Sequence, residues 1–111
     1  MAAKANIVVD QGSTFETVLN LTTDTDLELN IIDHNFRGQI RKHYTSSNAY
    51  NFTITKNTPF TAGNITVGLD ANTTAIIPAG RYMYDVEMIS PDGKVTRIVE
   101  GIVTVTPEVT R

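Results

Sequence analysis

The sequence predicts an all-β chain of two stacked antiparallel sheets, and three observations predict it. Arg81 to Ile89 alternates, with Tyr82, Tyr84, Val86 and Met88 on one side and Arg81, Met83, Asp85 and Glu87 on the other. A period of two marks a strand with one buried face and one wet face. Ser90-Pro91-Asp92-Gly93 then turns the chain back into Lys94 to Thr106. Proline fixes φ at the second turn position, and glycine at the fourth accepts a left-handed backbone. Finally, short strand-like runs recur along the chain with turn residues between them. That pattern belongs to a two-layer antiparallel domain and not to an α/β enzyme scaffold.

Taken in order, Ile7-Val8-Val9 is strand A, closed by Asp10-Gln11-Gly12-Ser13. Thr14 to Thr22 is strand B, with Phe15, Thr17, Leu19 and Leu21 on one face. Leu27 to Ile32 reads as a short strand or an irregular crossing segment. His34 to Tyr44 is strand C, with Phe36, Gly38, Ile40 and Lys42 on one face and Arg37, Gln39, Arg41 and His43 on the other. Tyr50 to Lys56 is strand D, with Phe52 and Ile54 inward, and Asn57-Thr58-Pro59 ends it. Asn64 to Asp70 is strand E, with Ile65, Val67 and Leu69 inward. Asp70 or Asn72 caps a single helical turn before Pro78. The hairpin supplies strands F and G. Seven strands of this kind predict an immunoglobulin-like antiparallel β-sandwich occupying residues 1–111 as one domain.

The hairpin register follows from its turn. Pairing Ser90 with Lys94 sets Met88 opposite Thr96, Val86 opposite Ile98 and Glu87 opposite Arg97. Continued alternation would bury Glu100. Gly101 follows at once, and Val103 and Val105 then carry the apolar face, so a β-bulge is expected near Glu100-Gly101.

The totals narrow the function. A chain of 111 residues suits one core without staples. There is no cysteine, hence no disulfide framework and no thiolate metal site. The net charge of −3 lacks the basic footprint of a nucleic-acid binder. No apolar run is long enough for a bilayer helix, and residues 1–6 carry no apolar signal core, so the expected compartment is the cytoplasm of the producing cell. Asn-x-Thr triplets at Asn20, Asn51, Asn64 and Asn72 are read as a product of a Thr- and Asn-rich composition.

Each candidate for chemistry has a plainer reading. Arg37, Arg41 and His43 could form a partner surface, but strand F lies beside strand C in such a sheet. Its Asp85 and Glu87 would then pair with the basic stripe. The candidate interaction surface is therefore Arg37, Gln39, Arg41, His43, Asp85, Glu87 and Arg97. Asp24-Thr25-Asp26-Leu27-Glu28 has alternate carboxylates but lacks the glycine and ligand count of a calcium loop. His34 and His43, nine positions apart, stand about 30 Å apart on a straight strand and cannot share a metal within one subunit. Ser13, Ser46, Ser47 and Ser90 all sit in turns, and no nucleophile elbow or phosphate-binding glycine loop is present. The expectation is no enzyme and no cofactor. Tyr82 or Tyr84 would make a tyrosine corner if its hydroxyl bonds back to the loop before strand F.

Four segments also carry a resemblance. They are Ile7 to Phe15, Arg37 to Lys42, Pro78 to Gly101 with its Asp92-Gly93 turn, and Val103 to Arg111. Together they resemble small tailed-bacteriophage virion proteins of immunoglobulin-like fold. The chain is similar to the N-terminal domain of phage baseplate upper proteins and to short structural proteins of T4-like cyanobacterial phages. Leu27 to Asn35 departs from the family's usual pattern. The resemblance implies no catalytic residues. It implies a virion structural protein, assembled in the host cytoplasm, that docks or bridges at the tail or baseplate. Capsid decoration is the alternative location. Partners would be other virion proteins, with a homo-oligomer as one allowed form, and neither nucleic acid nor membrane. A carbohydrate- or host-receptor-binding module is the other class of function, because sandwiches present ligand loops.

Overall fold

The computed structural model describes residues 3–22, 29–43 and 46–109. Among these the strands are β1 Ala3–Lys4, β2 Ile7–Asp10, β3 Phe15–Asn20, β4 Asn35–Arg41, β5 Tyr50–Asn51, β6 Thr53–Lys56, β7 Asn64–Leu69, β8 Gly80–Ile89 and β9 Val95–Thr106. A short 3-10 turn covers Phe60–Ala62, and one helix, α1, covers Ala71–Ile76. One sheet runs β1-β9-β8-β4-β5, with β2 also on β9; the other runs β3-β7-β6. The sheets stack through their apolar faces. Ile40, Val86 and Val103 from the large sheet meet Ile65, Val67 and Leu69 from the small one, all buried. The fold is an all-β sandwich, as the alternation requires.

The turns behave as their residues dictate. Ser90 and Lys94 close the hairpin through a 2.9 Å bond from the Ser90 N–H to the Lys94 carbonyl, with Gly93 at φ +88°. Asp70 caps α1 by accepting from the Thr73 N–H at 2.7 Å. The Tyr82 hydroxyl donates to the Pro78 carbonyl at 2.5 Å, which is the tyrosine corner. Burial raises the pKa of this hydroxyl and of Tyr84's, so both stay protonated donors.

Three expectations need correction. The sandwich is not wholly antiparallel: β1 and β2 run parallel to β9, with Ile7 opposite Val103 and Val9 opposite Val105. The first strand must both cover the core at the edge of β9 and feed Gln11 to Thr14 across to β3 in the other layer. Lying alongside the last strand of the sheet does both.

Strand D is two strands. Tyr50 and Asn51 pair with β4 in the large sheet, whereas Thr53 to Lys56 pair with β7 in the small one. The chain changes layers at Phe52, whose side chain is buried between the sheets and whose N–H still donates to the Gly38 carbonyl at 3.0 Å. A switching strand buries its central side chain from either layer, so its alternation looks continuous.

The bulge also lies elsewhere. Glu87 faces Arg97, as expected, but Val86 faces Val99 and not Ile98, so the extra residue is Ile98. Slipping there turns Glu100 outward two residues early and keeps its charge out of the core, which would otherwise cost several kcal/mol. Gly101 serves a different end. A Cβ on it would stand 2.0 Å from the Ala5 carbonyl oxygen. That oxygen instead comes in to accept from the Tyr84 hydroxyl at 2.6 Å. The glycine thus locks the N-terminal strand to its cross-strand neighbour Tyr84.

Of the two readings open for Leu27 to Ile32, the irregular crossing holds where the segment is described. Residues 29–34 cross irregularly, and residues 27–28, like the acidic run 24–28, lie outside the described residues. Ile31 is fully buried, and the Lys56 ammonium donates to the Ile32 and His34 carbonyls at 2.9 and 3.0 Å, clamping the crossing.

Candidate functional site

Period-two geometry sends every second residue of β4, β8 and β9 out of the large sheet, and the register sets them in rows. Arg37, Glu87 and Arg97 form one row. Gln39, Asp85, Glu100 and Lys4 form the next, and Arg41, Met83 and Ile102 the third. Seven charged side chains thus stand in these three rows: Lys4, Arg37, Arg41, Arg97, Asp85, Glu87 and Glu100. A shallow trough of about 570 Å³ crosses it, bounded by Lys4, Asn6, Arg41, Met83, Glu100 and Ile102 among others.

Only part of this charge is spent within the chain. Arg37 Nε meets Glu87 Oε1 at 2.7 Å. Arg97 spans Asp85 at 3.3 Å and Glu100 at 3.8 Å. Partial burial raises the Asp85 pKa, Arg97 opposes the rise, and Glu87 and Glu100 add to it. The Gln39 amide donates to Asn51 at 2.9 Å and accepts from Arg41 at 2.9 Å. Arg41 also donates to the Ser46 carbonyl.

The expected cross-strand pairing therefore holds for Arg37, whereas Arg97 stands opposite Glu87 but bridges Asp85 and Glu100, and Arg41 takes up neither carboxylate of β8. The stripes are offset by one row, so Arg41 faces Met83 and Gln39 faces Asp85. His43 lies beyond the end of β4, exposed, with its main-chain N–H donating to Ser46 Oγ at 2.9 Å. Lys4, Asn6 and Glu100 belong to the face and were not in the candidate set. A bulge expected at Glu100-Gly101 itself leaves the side taken by Glu100 open, and no local signal places residues 3–6 beside β9.

The chemistry available here is multivalent hydrogen bonding and ion pairing. The trough is lined by carboxylates, cations, amides and the Met83 and Ile102 side chains, with no serine, cysteine or histidine. Among the described residues no group of three or more His, Asp or Glu is placed to hold a metal ion. His34 Nδ1 is buried without a hydrogen-bond partner at the start of β4. His43 stands past the other end of the same strand. Of the loop aromatics, Tyr50 packs edge-on against Tyr82 at 6.5 Å, Phe60 lies under the Lys56 ammonium at 5.4 Å, and Tyr44 lies outside the described residues.

No family model matches the chain, and no curated protein matches it. Among solved structures it is similar to a point-mutant form of the SrpA adhesin from Streptococcus sanguinis. Identity is 12%, the match covers 92% of this chain and 55% of the adhesin chain, and the TM-score is 0.54. It is also similar to the sialic-acid-binding region of a Streptococcus sanguinis adhesin, with 16% identity, 93% of this chain, 28% of that chain and a TM-score of 0.50. The chain spans about half of the first protein and just over a quarter of the second. At such identities the likeness concerns the fold, and it agrees with the architecture above: an all-β sandwich of the kind found in bacterial adhesin domains.

Proposed function

We propose that this chain is a non-enzymatic binding module that docks onto another protein through the outer face of its large sheet. One observation carries the reading. Four cations and three carboxylates stand in fixed rows on a rigid sheet around a shallow trough, with Met83 and Ile102 between them. A protein surface of complementary charge fits such a face better than a small substrate, which needs a deeper apolar cleft. The resemblance to tailed-phage virion proteins supports a place in the virion, at the tail or baseplate or as a capsid decoration, reached during assembly in the host cytoplasm. The test is incorporation. Particles purified on a gradient should contain this chain in fixed stoichiometry, and Arg37→Glu with Arg97→Glu should reduce incorporation while the isolated protein stays folded. Purified particles lacking the chain would end the virion reading.

Glycan or receptor binding is the second reading, favoured by the likeness to the sialic-acid-binding region of an adhesin. Sugar rings stack on exposed aromatic faces, and here Tyr50 and Phe60 are already engaged by their own neighbours. Saturable binding on a glycan array, lost in the same double variant, would make this the better reading.

A further inference from the structure

The geometry points to a second activity of the fold: self-association through the free edge of β3, two copies joining their small sheets antiparallel about a two-fold axis at Val18. Among the described residues β3 pairs on one side only, with β7. Its ladder is straight over all six residues, with no register shift. Edge strands usually carry proline, lysine, a bulge or a short span to prevent pairing. Phe15-Glu16-Thr17-Val18-Leu19-Asn20 carries none of these, and its one protective charge is Glu16.

The hydrogen-bond parity fixes which groups are free. The Leu21 N–H donates to the Gly63 carbonyl at 2.8 Å, so odd-numbered residues of this strand point their backbone groups at β7. The Asn57 N–H takes the Asn64 carbonyl at 2.9 Å, so the even-numbered residues of β7 face β6, as the same parity demands. Glu16, Val18 and Asn20 therefore present unpaired N–H and C=O groups to solvent. Val18, 56% exposed, places an apolar β-branched side chain at the middle of this edge.

A second copy is the occupant this edge fits. Antiparallel partners must share a face, which leaves a few two-fold registers. With Val18 opposite the second copy's Val18, Glu16 lies opposite Asn20, Thr17 opposite Leu19, and Phe15 opposite Leu21. All three outward-facing pairs are then hydrogen-bonded, at two bonds each about six in total. Centring on Thr17 or on Leu19 forms about four. The same register buries the two valines together. It also sets the one charged side chain of β3 against an amide in place of its own copy, so the charge distribution is self-complementary.

Sedimentation or light scattering of the full chain over a dilution series tests this. Wild type should show a concentration-dependent dimer. Val18→Pro should be monomeric yet keep the folded β-sheet spectrum, and at dilutions where the wild type is also monomeric it should unfold cooperatively like it, because its lost N–H faces away from β7. Val18→Lys, which brings two ammonium groups together, should weaken association at least about tenfold. Val18→Cys supplies a single thiol, since the chain has no cysteine. Hydrogen-bonded antiparallel partners stand about 5.5 Å apart between Cα atoms, within the disulfide range of about 4.4–6.8 Å. Mild oxidation should therefore cross-link it, while Thr55→Cys on β6 should not cross-link. A monomer at the highest soluble concentration, or a dimer that survives both Val18→Pro and Val18→Lys, would overturn the proposal.

Discussion

The two layers of this sandwich share one core but are finished differently at their margins. The large sheet is laced shut. Tyr82 ties its β8 to Pro78, Tyr84 ties β8 to Ala5, and Gln11 bridges the Ile77 carbonyl and the Glu108 N–H at 3.0 and 3.1 Å. Its outer surface is crossed by ion pairs. Among the described residues the small sheet has three strands, few outer-face charges and an unpaired edge at β3. The lesson is that burial supplies both sheets with stability, whereas side-chain locks and charge rows are concentrated where the chain's ends must be held and on the face we propose for docking.

Core truncation should erase that difference and give the largest effect. Ile40 on β4 and Ile65 on β7 are both fully buried. Ile40→Ala and Ile65→Ala should each cost about 2–5 kcal/mol in urea unfolding, in one cooperative transition. A much smaller cost for Ile65→Ala would mean that the small sheet frays by itself. The lock on the N-terminal strand comes next. Gly101→Ala should cost about 1–3 kcal/mol by forcing Ala5 off β9. Hydrogen-exchange protection of the β2 and β9 amides should fall while that of β3 and β7 is kept. Tyr84→Phe and Tyr82→Phe should each cost about 1 kcal/mol by leaving a carbonyl unpaired.

The pH response separates the margins more finely. The Thr73 side chain and N–H bond Asp70 and hold its carboxyl below the usual 3.8. Its contribution is complete above that value and is lost as the pH falls through the lowered folded pKa. Asp85 is raised above 3.8 by burial, so the folded state binds its proton more tightly and stability declines as pH rises from 3.8 through the raised value. Midpoints of urea unfolding across the acid range should show Asp70→Ala flattening the loss at the bottom and Asp85→Asn removing the decline above it. The smallest effect belongs to the ion-pair rows. Arg37 is 63% exposed, and Arg37→Ala should change stability by less than about 1 kcal/mol. A larger cost would mean that the face is built chiefly for stability and not for a partner.

Particular residues show what was legible. The Pro91-Asp92-Gly93 turn appears where its residues foretold, and the structure chooses Asp70 over Asn72 for the cap and Tyr82 over Tyr84 for the corner, each from alternatives the local sequence left open. Glu87 opposite Arg97 was legible because it lies close to that turn. Val86 opposite Ile98 was not, because one inserted residue further along cancels the count. Five of the seven charged residues in the three rows, Arg37, Arg41, Asp85, Glu87 and Arg97, were in the candidate set. Arg37, Gln39, Asp85 and Glu87 follow from alternation and adjacency, whereas Lys4 and Asn6 arrive from the far end of the chain.

By itself the sequence determined the all-β class, the inward and outward side of nearly every strand, and the hairpin that anchors the large sheet. These follow from side-chain period and turn chemistry, which act over a few residues. Only the tertiary structure decided that the first strand lies parallel to the last, that Phe52 carries the chain from one layer to the other, and that Gly101 admits a carbonyl from residue 5. Those choices rest on contacts between residues far apart in the chain, where the sterics of one Cβ or the charge of one glutamate outweighs any local pattern.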